Sequence, residues 1–169
     1  MSTLIPDSIL ARLEADNAPY IGGRFLTDTS VGTMQHVDPS TGRSIAVAAI
    51  GGAAEIDAAV RSSQVAQRHW MSLPSSRRAA ILQRFADLIE RDHDLLANAE
   101  SRDCGKPVAL ARSLDIPRAA ANFRFFAAAA TQFASESHGM ESQGFNYTLR
   151  QPLGVVACIS PWNLPLYLL

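Results

Sequence analysis

The stretch QPLGVVACISPWNLPLYLL, Gln151 to Leu169, places an unbroken apolar run, Val155 to Ile159, directly before a turn made of Ser160, Pro161, Trp162 and Asn163. A short apolar run bounded by turn formers reads as a strand covered on both faces, the pattern of an α/β sheet. In open sheets of that class, ligands bind beyond the carboxyl ends of the strands. Ser160 to Asn163 occupy that position. Asn163 has two uses there. It caps a helix opening at Pro165, since an Asn side chain accepts from free backbone N–H groups and Pro suits a first turn; or its side-chain NH₂ faces the cleft and donates to developing negative charge. Residue type alone does not separate the two.

Upstream of this run, Phe145, Tyr147 and Leu149 alternate with Asn146, Thr148 and Arg150, as in a half-exposed strand. A helix is predicted from near Asp115, with Pro117 in its first turn and Asn122, Phe123, Phe126, Ala130 and Phe133 along one face. Before it, a long helix is predicted from Ser75 to about Asp103. Ile81, Leu82, Phe85, Leu88 and Ile89 form its apolar stripe, opposite Arg78, Arg84, Glu90 and Arg91. Gly105 and Pro107 then supply a left-handed cap and a residue that cannot continue the helix. A further helix spans Ala53 to Trp70, with Ile56, Ala59, Val60 and Trp70 at helical spacing. Tyr20 to Leu26 and the segments either side of DPSTGR, Asp38 to Arg43, read as short hairpin strands forming a small antiparallel sheet, because Asp-Pro and Thr-Gly are turn formers. The fold class is α/β: short antiparallel strands, three helices, then entry into a parallel sheet.

Composition narrows the partners. Fifteen Lys and Arg against sixteen Asp and Glu leave a net charge of −1, so no overall field favours phosphate backbones or an anionic bilayer, and neither nucleic acid nor membrane is an expected partner. The first residues, MSTLIPDSILARLEADNAPY, have no unbroken apolar segment and carry Asp7, Glu14 and Asp16, unlike a secretory or transit peptide. Cys104 and Cys158 lie far apart without metal spacing, as reduced cytoplasmic thiols do. Both are expected to be structural, Cys158 inside the buried strand. His36, His69, His93 and His138 are scattered, so no metal site is expected. Lys106 is read as a cation favouring the helix C-terminus. Glu90, Asp92, Asp94 and Glu100 are read as a solvated helix face, and Gly22-Gly23 and Gly51-Gly52 as turn glycines.

Arg118 is less easily placed. As a surface side chain it pairs with Asp115 three residues earlier, yet a cation in the first turn of a helix opposes the macrodipole. An anionic ligand resolves the conflict, since a helix N-terminus and a guanidinium fork both favour a carboxylate.

QPLGVVACISPWNLPLYLL resembles the strand-turn-helix of the aldehyde dehydrogenase superfamily, where Pro-x-Gly-Val-Val leads into Pro-Trp-Asn-x-Pro. The likeness extends through DPSTGR, the AAEIDAAV helix, RRAAILQRFADLIERD and ESRDCGKP. LARSLDIPRAAANFRFFAAAA with NYTLRQPLGV is similar to the branch that oxidises 2-aminomuconic and 2-hydroxymuconic semialdehydes. The resemblance implies an N-terminal arm (1–19), part of a cofactor-binding domain (20–136), part of an oligomerisation element (137–152) and the opening of the cofactor-binding sheet (153–169). It also implies NAD as cofactor, an aldehyde substrate and a homo-oligomer. In that chemistry a Cys thiolate attacks the aldehyde, hydride passes to NAD, and a Glu-activated water releases the acid. Asn163 matches the residue whose amide meets the oxyanion; Ile159, Ser160, Pro161 and Trp162 match the strand end beside the nicotinamide ribose; Arg118 matches the Arg that holds the substrate's carboxylate. The segments matching the nucleophile, the base and the phosphate-binding turn are expected after Leu169, making the chain an N-terminal fragment, inactive alone. A broader aldehyde specificity and a non-enzymatic subunit that pairs through FNYTL are the other readings.

Overall fold

The computed structural model describes residues 17–168. The predicted N-terminal arm, 1–19, therefore lies outside the described residues up to position 16. The chain opens with a ribbon of β1 (Tyr20–Ile21) and β2 (Arg24–Phe25), paired antiparallel with Tyr20 opposite Phe25. Gly22 and Gly23 sit at φ +61° and +83°, the double left-handed turn that matches strand twist and is costly for a side-chain-bearing residue.

A second ribbon pairs β3 (Gly32–Val37) with β4 (Ser44–Ile50), His36 opposite Ala46, with a bulge between His36 and Val37. Its DPSTGR turn is stitched by Asp38, whose Oδ1 accepts from the Ser40 N–H at 2.7 Å while its own N–H donates to the Arg43 carbonyl at 2.9 Å. The Ser40 bond also holds the Asp38 carboxyl below its ordinary range. A third ribbon, β5 (Ser137–Gly139) with β6 (Phe145–Tyr147), follows the helices and is exposed throughout. The expected single small sheet is thus three separate two-stranded ribbons.

Helix α1 (Ala53–Ser72) begins where Glu55 reaches back to accept from the Gly52 N–H at 2.7 Å. The same carboxylate accepts from the Ser30 hydroxyl at 2.6 Å and the Ser30 N–H at 3.1 Å, so helix start and β3 approach are tied together. These bonds, the Ser30 hydroxyl foremost, lower the Glu55 pKa to about 2. The helix stops before Leu73-Pro74, as a residue preceding proline leaves the helical region.

The long helix expected from Ser75 to Asp103 is two helices: α2 (Ser75–Arg91) and α3 (His93–Cys104), broken at Asp92. There, Arg91 folds onto the Asp92 carboxylate with contacts of 2.9 and 2.6 Å, and the backbone turns through φ −98°, ψ 21°. The buried face of α2 is also rotated from the predicted stripe. Ala79, Ala86 and Ile89 are inside, whereas Ile81 and Phe85 are exposed. Small residues take much of the interior because the helix Ile116–Gln132 packs against α2, and alanine lets two backbones approach closely.

Gly105, at φ +74°, ends α3 as predicted and donates to the Ser101 carbonyl at 2.9 Å. The next helix, α4, starts earlier than Asp115. It runs as an α turn (Val108–Leu110), a π-helical turn (Ala111–Asp115) and a regular helix (Ile116–Gln132). Pro117 explains the wide turn. Inside a helix its ring crowds the carbonyl four residues back and it donates no hydrogen bond, and the π register opens the backbone just before it. Ala86, Ile89, Ala97, Ala111, Ile116, Ala119 and Ala120 form the core, with Leu96, Phe123 and Leu166 against it. Phe85 meets Phe123 edge-on at 4.6 Å. Arg124 locks the outer rim of the α2–α4 pair through Glu90 and, at 3.0 Å, Asp87.

Residues 155–159 form no strand, and their predicted burial is not met: Val156 is 61% and Ile159 95% exposed. A strand meant for both faces of a parallel sheet has no neighbouring parallel strand among the described residues, so nothing fixes or covers it. No helix among these residues is long and apolar enough to cross a membrane.

The Asn163 turn as a candidate active-site segment

Residues 160–168 fold back on themselves and dock on the helices. The Ser160 hydroxyl donates to the Leu168 carbonyl at 3.2 Å, and the Leu168 N–H donates to Leu164 at 3.1 Å. Two side chains from the helical layer hold this turn from outside. Asn122 of α4 donates its amide to the Tyr167 carbonyl at 3.3 Å, and the Cys104 thiol at the end of α3 donates to the Trp162 carbonyl at 3.2 Å. Leu166 packs on the core. The local sequence explains the form: Pro161 and Pro165 remove two N–H donors, so the backbone needs side-chain and long-range partners to be satisfied.

Asn163 stands exposed in this turn, and no helix is formed from Pro165 onward among the described residues for it to cap. Trp162 is 84% exposed and Ile159 95%. Pro161 is exposed and Ser160 half-buried, its hydroxyl spent on the turn.

Arg118 is not in a first helical turn, because α4 begins ten residues earlier, at Val108. The predicted conflict with the helix dipole therefore disappears. The predicted pairing with Asp115 is also replaced: Asp115 is buried against Lys106, and Arg118 instead sits over the Tyr167 ring, 5.1 Å from its centroid. The guanidinium thus reaches the same turn that carries Asn163. Tyr167 also lines a cleft of about 290 Å³, together with Leu82, Asn122, Phe123, Phe126 and Leu168.

Lys106 and Glu100 are corrections of a different kind. Neither is a solvated helix-end group. Lys106 Nζ lies 2.8 Å from Glu100 Oε1 and 2.6 Å from Asp115 Oδ2, with side-chain exposures of 11%, 3% and 2% respectively. Burial alone lowers a lysine pKa, but the bonds to Asp115 and Glu100 override it and hold the ammonium protonated above its ordinary range. Glu100 Oε2 has no hydrogen-bond partner. The triad ties the GKP turn to the π turn that precedes Arg118. The signal for it was an acidic residue, Asp115, set between the apolar Leu114 and Ile116.

The cysteines separate. Cys104 is half-buried, and burial followed by the nearby Asp103 charge pushes its thiol up, away from nucleophilic thiolate. Cys158 is exposed, contrary to its expected place in a covered strand, for the same reason that residues 155–159 lack one. His36 pairs with Asp103 at 3.0 Å beside a smaller cleft of about 160 Å³ that also involves Asn17 and Arg102. No group of three or more His, Cys, Asp or Glu suited to a metal is found among the described residues.

Comparison with known proteins bears on this arrangement directly. Residues 25–169 match the family model described as aldehyde dehydrogenase family. The chain is 47% identical over 151 residues to the 2-aminomuconic semialdehyde dehydrogenase of Bos taurus, covering 89% of this chain and 31% of that protein. It is 43% identical over 155 residues to the 2-hydroxymuconic semialdehyde dehydrogenase of Pseudomonas sp. (strain CF600), covering 89% and 32%. Among solved structures, PnpE, known from Pseudomonas sp. WBC-3, superposes in its complex with nicotinamide adenine dinucleotide with a TM-score of 0.85 at 38% identity, over 90% of this chain and 31% of that one. An aldehyde dehydrogenase from Bacillus cereus gives a TM-score of 0.89 at 32% identity, over 97% and 34%. The chain spans about a third of the length of these relatives. With motif order, helical layer and docked turn all in agreement, the chain belongs to the aldehyde dehydrogenase family.

Proposed function

We propose that this chain forms the oxyanion-facing and carboxylate-binding part of an NAD-dependent dehydrogenase that oxidises a carboxylate-bearing semialdehyde, of the 2-aminomuconic or 2-hydroxymuconic kind, to the acid. One observation carries the reading: Arg118, whose guanidinium has no carboxylate partner among the described residues, stands over the ring of Tyr167, in the turn that also exposes Asn163. A cation suited to one end of the substrate thereby meets the turn that carries a neutral N–H donor suited to the other.

The division of labour follows from charge. Addition of sulfur to an aldehyde converts a neutral carbonyl oxygen into an oxyanion. A preorganised amide donor such as Asn163 stabilises that state more than the ground state, and so lowers the barrier. Arg118 fixes a distant carboxylate through its planar guanidinium fork without taking part in the bond changes. Ile159, Pro161 and Trp162 present exposed apolar surface, and the backbone around them is open, a surface suited to packing on a nicotinamide ribose. The nucleotide would supply the hydride acceptor. Its phosphate-binding turn, the nucleophile and the general base have no match within residues 1–169, so the activity is that of a full-length dehydrogenase carrying this segment. The names of the bovine and Pseudomonas relatives support the choice of substrate class.

Arg118→Ala in such a full-length enzyme tests the reading. kcat/KM for a carboxylate-bearing semialdehyde is expected to fall by about 1.5–3 kcal/mol, the scale of hydrogen bonds to a charged group. An uncharged aldehyde of similar length is expected to be nearly unaffected. Equal losses on both substrates would return Arg118 to a structural role and leave a broader aldehyde specificity as the better account.

A further inference from the structure

Arg118, Asn122 and Phe126 fall at successive i, i+4 positions of α4 and so share one face of the helix. That face meets residues 167–168, and the contacts are unequal. Arg118 is exposed and long, with several soft torsions, whereas the backbone of its neighbour Tyr167 is anchored. Asn122 holds the Tyr167 carbonyl at 3.3 Å, Ser160 and Leu164 hold Leu168 on one side, and Leu166 is seated on the core on the other. The ring is therefore the fixed partner and the guanidinium the one that needs fixing.

We propose that Tyr167, which lines the cleft, is the positioning residue for Arg118: its ring holds the guanidinium in place so that the N–H groups stay free for the substrate's carboxylate. This rests on the carboxylate-binding role given to Arg118 above and extends it to a second residue. A cation over an aromatic face is attracted by the ring quadrupole and spends no N–H donor. The N–H donors of the fork remain for a carboxylate, to which they donate in bidentate fashion. A carboxylate partner in place of the ring, such as the Asp115 that the sequence offers three residues away, would compete with the substrate. Lys106 removes that competitor by holding Asp115 at 2.6 Å in the interior. The remaining cleft wall, Leu82, Phe123, Phe126 and Leu168, is apolar and suits the flat carbon chain of an unsaturated semialdehyde between its two polar ends.

The test is kinetic, in the full-length dehydrogenase carrying this segment, with Tyr167→Leu, Tyr167→Phe, Arg118→Ala and the Tyr167→Leu/Arg118→Ala double variant. Turnover of an uncharged aldehyde reports the fold in every variant. Tyr167→Leu is expected to raise KM for the carboxylate-bearing substrate about three- to tenfold, the size of a partly exposed cation–π contact, with kcat and the uncharged aldehyde little changed. Tyr167→Phe, which keeps the ring, is expected to match the parent. In the Arg118→Ala background the Tyr167→Leu change is expected to add nothing. A selective loss in Arg118→Ala with none in Tyr167→Leu, or additive losses in the double variant, would overturn the positioning role while leaving the carboxylate-binding role intact. No selective loss in either single variant would overturn both.

Discussion

Asn163 shows what a residue's neighbours add to its type. An Asn two residues before a proline satisfies the pattern of a helix cap and that of a cleft-facing donor equally well. In the structure Asn163 is exposed, so little folding energy depends on packing around its amide. Asn163→Ala in the full-length enzyme is accordingly expected to slow acylation by about 2.7–4 kcal/mol, the range for loss of one oxyanion donor. The same change is expected to alter stability by less than the ~1 kcal/mol of a lost cap. Single-turnover rates and thermal melts measured side by side check both halves; normal acylation with a large drop in Tm would restore a structural role. The cysteines carry a related lesson. Their spacing says nothing of their surroundings: the difference between a half-buried Cys104 bonded to Trp162 and an exposed Cys158 depends on which elements find partners.

At the scale of elements, the junction of α3 with α4 is held by one buried ammonium between two carboxylates. Removing the cation leaves two acids in the interior with nothing to offset their desolvation. Lys106→Met is therefore expected to destabilise the protein by about 3–5 kcal/mol, read from the midpoint of a denaturant titration. Adding Glu100→Gln and Asp115→Asn to it is expected to recover part of the loss, because the stranded charges are then gone. A cost below about 1 kcal/mol for the single variant would show that the charges are not mutually dependent. The sign of the pH dependence follows from the raised lysine pKa: its stabilisation is complete below the ordinary lysine value of 10.5 and is lost as pH rises through the higher folded value. Neighbouring features differ in how far the sequence exposes them. The Gly105 cap was readable because only a left-handed residue ends a helix this way. The π turn before Pro117 was not, because a proline two residues past an acid looks like a helix start when the preceding helical turns have no strong periodicity of their own.

For the molecule as a whole, the helical layer is packed and residues 153–159 after it are not. Leu153, Val156, Ile159 and Trp162 are exposed at 61% or more, and no parallel strand pairs with them among the described residues. Cys104 is held as a thiol by burial and by Asp103, a poor setting for attack on an aldehyde. A purified polypeptide of residues 1–169 is thus expected to produce no NADH from any aldehyde. Aldehyde-dependent production that disappears with Cys104→Ser or Cys158→Ser would contradict that. Within the chain, the sequence by itself determined the two glycine-turned and Asp-Pro-turned hairpins, three of the helical stretches, the cap at Gly105 and family membership. These depend on residues adjacent in sequence, where φ preference, hydrophobic period and motif order act without help from distant parts. The tertiary structure alone decided that Glu100 and Asp115 are buried around Lys106, that Arg118 faces Tyr167, and that residues 155–159 stay uncovered. In each case the outcome is set by long-range partners, present or missing, and burial, ion pairing and strand pairing are properties of such encounters rather than of any one stretch of chain.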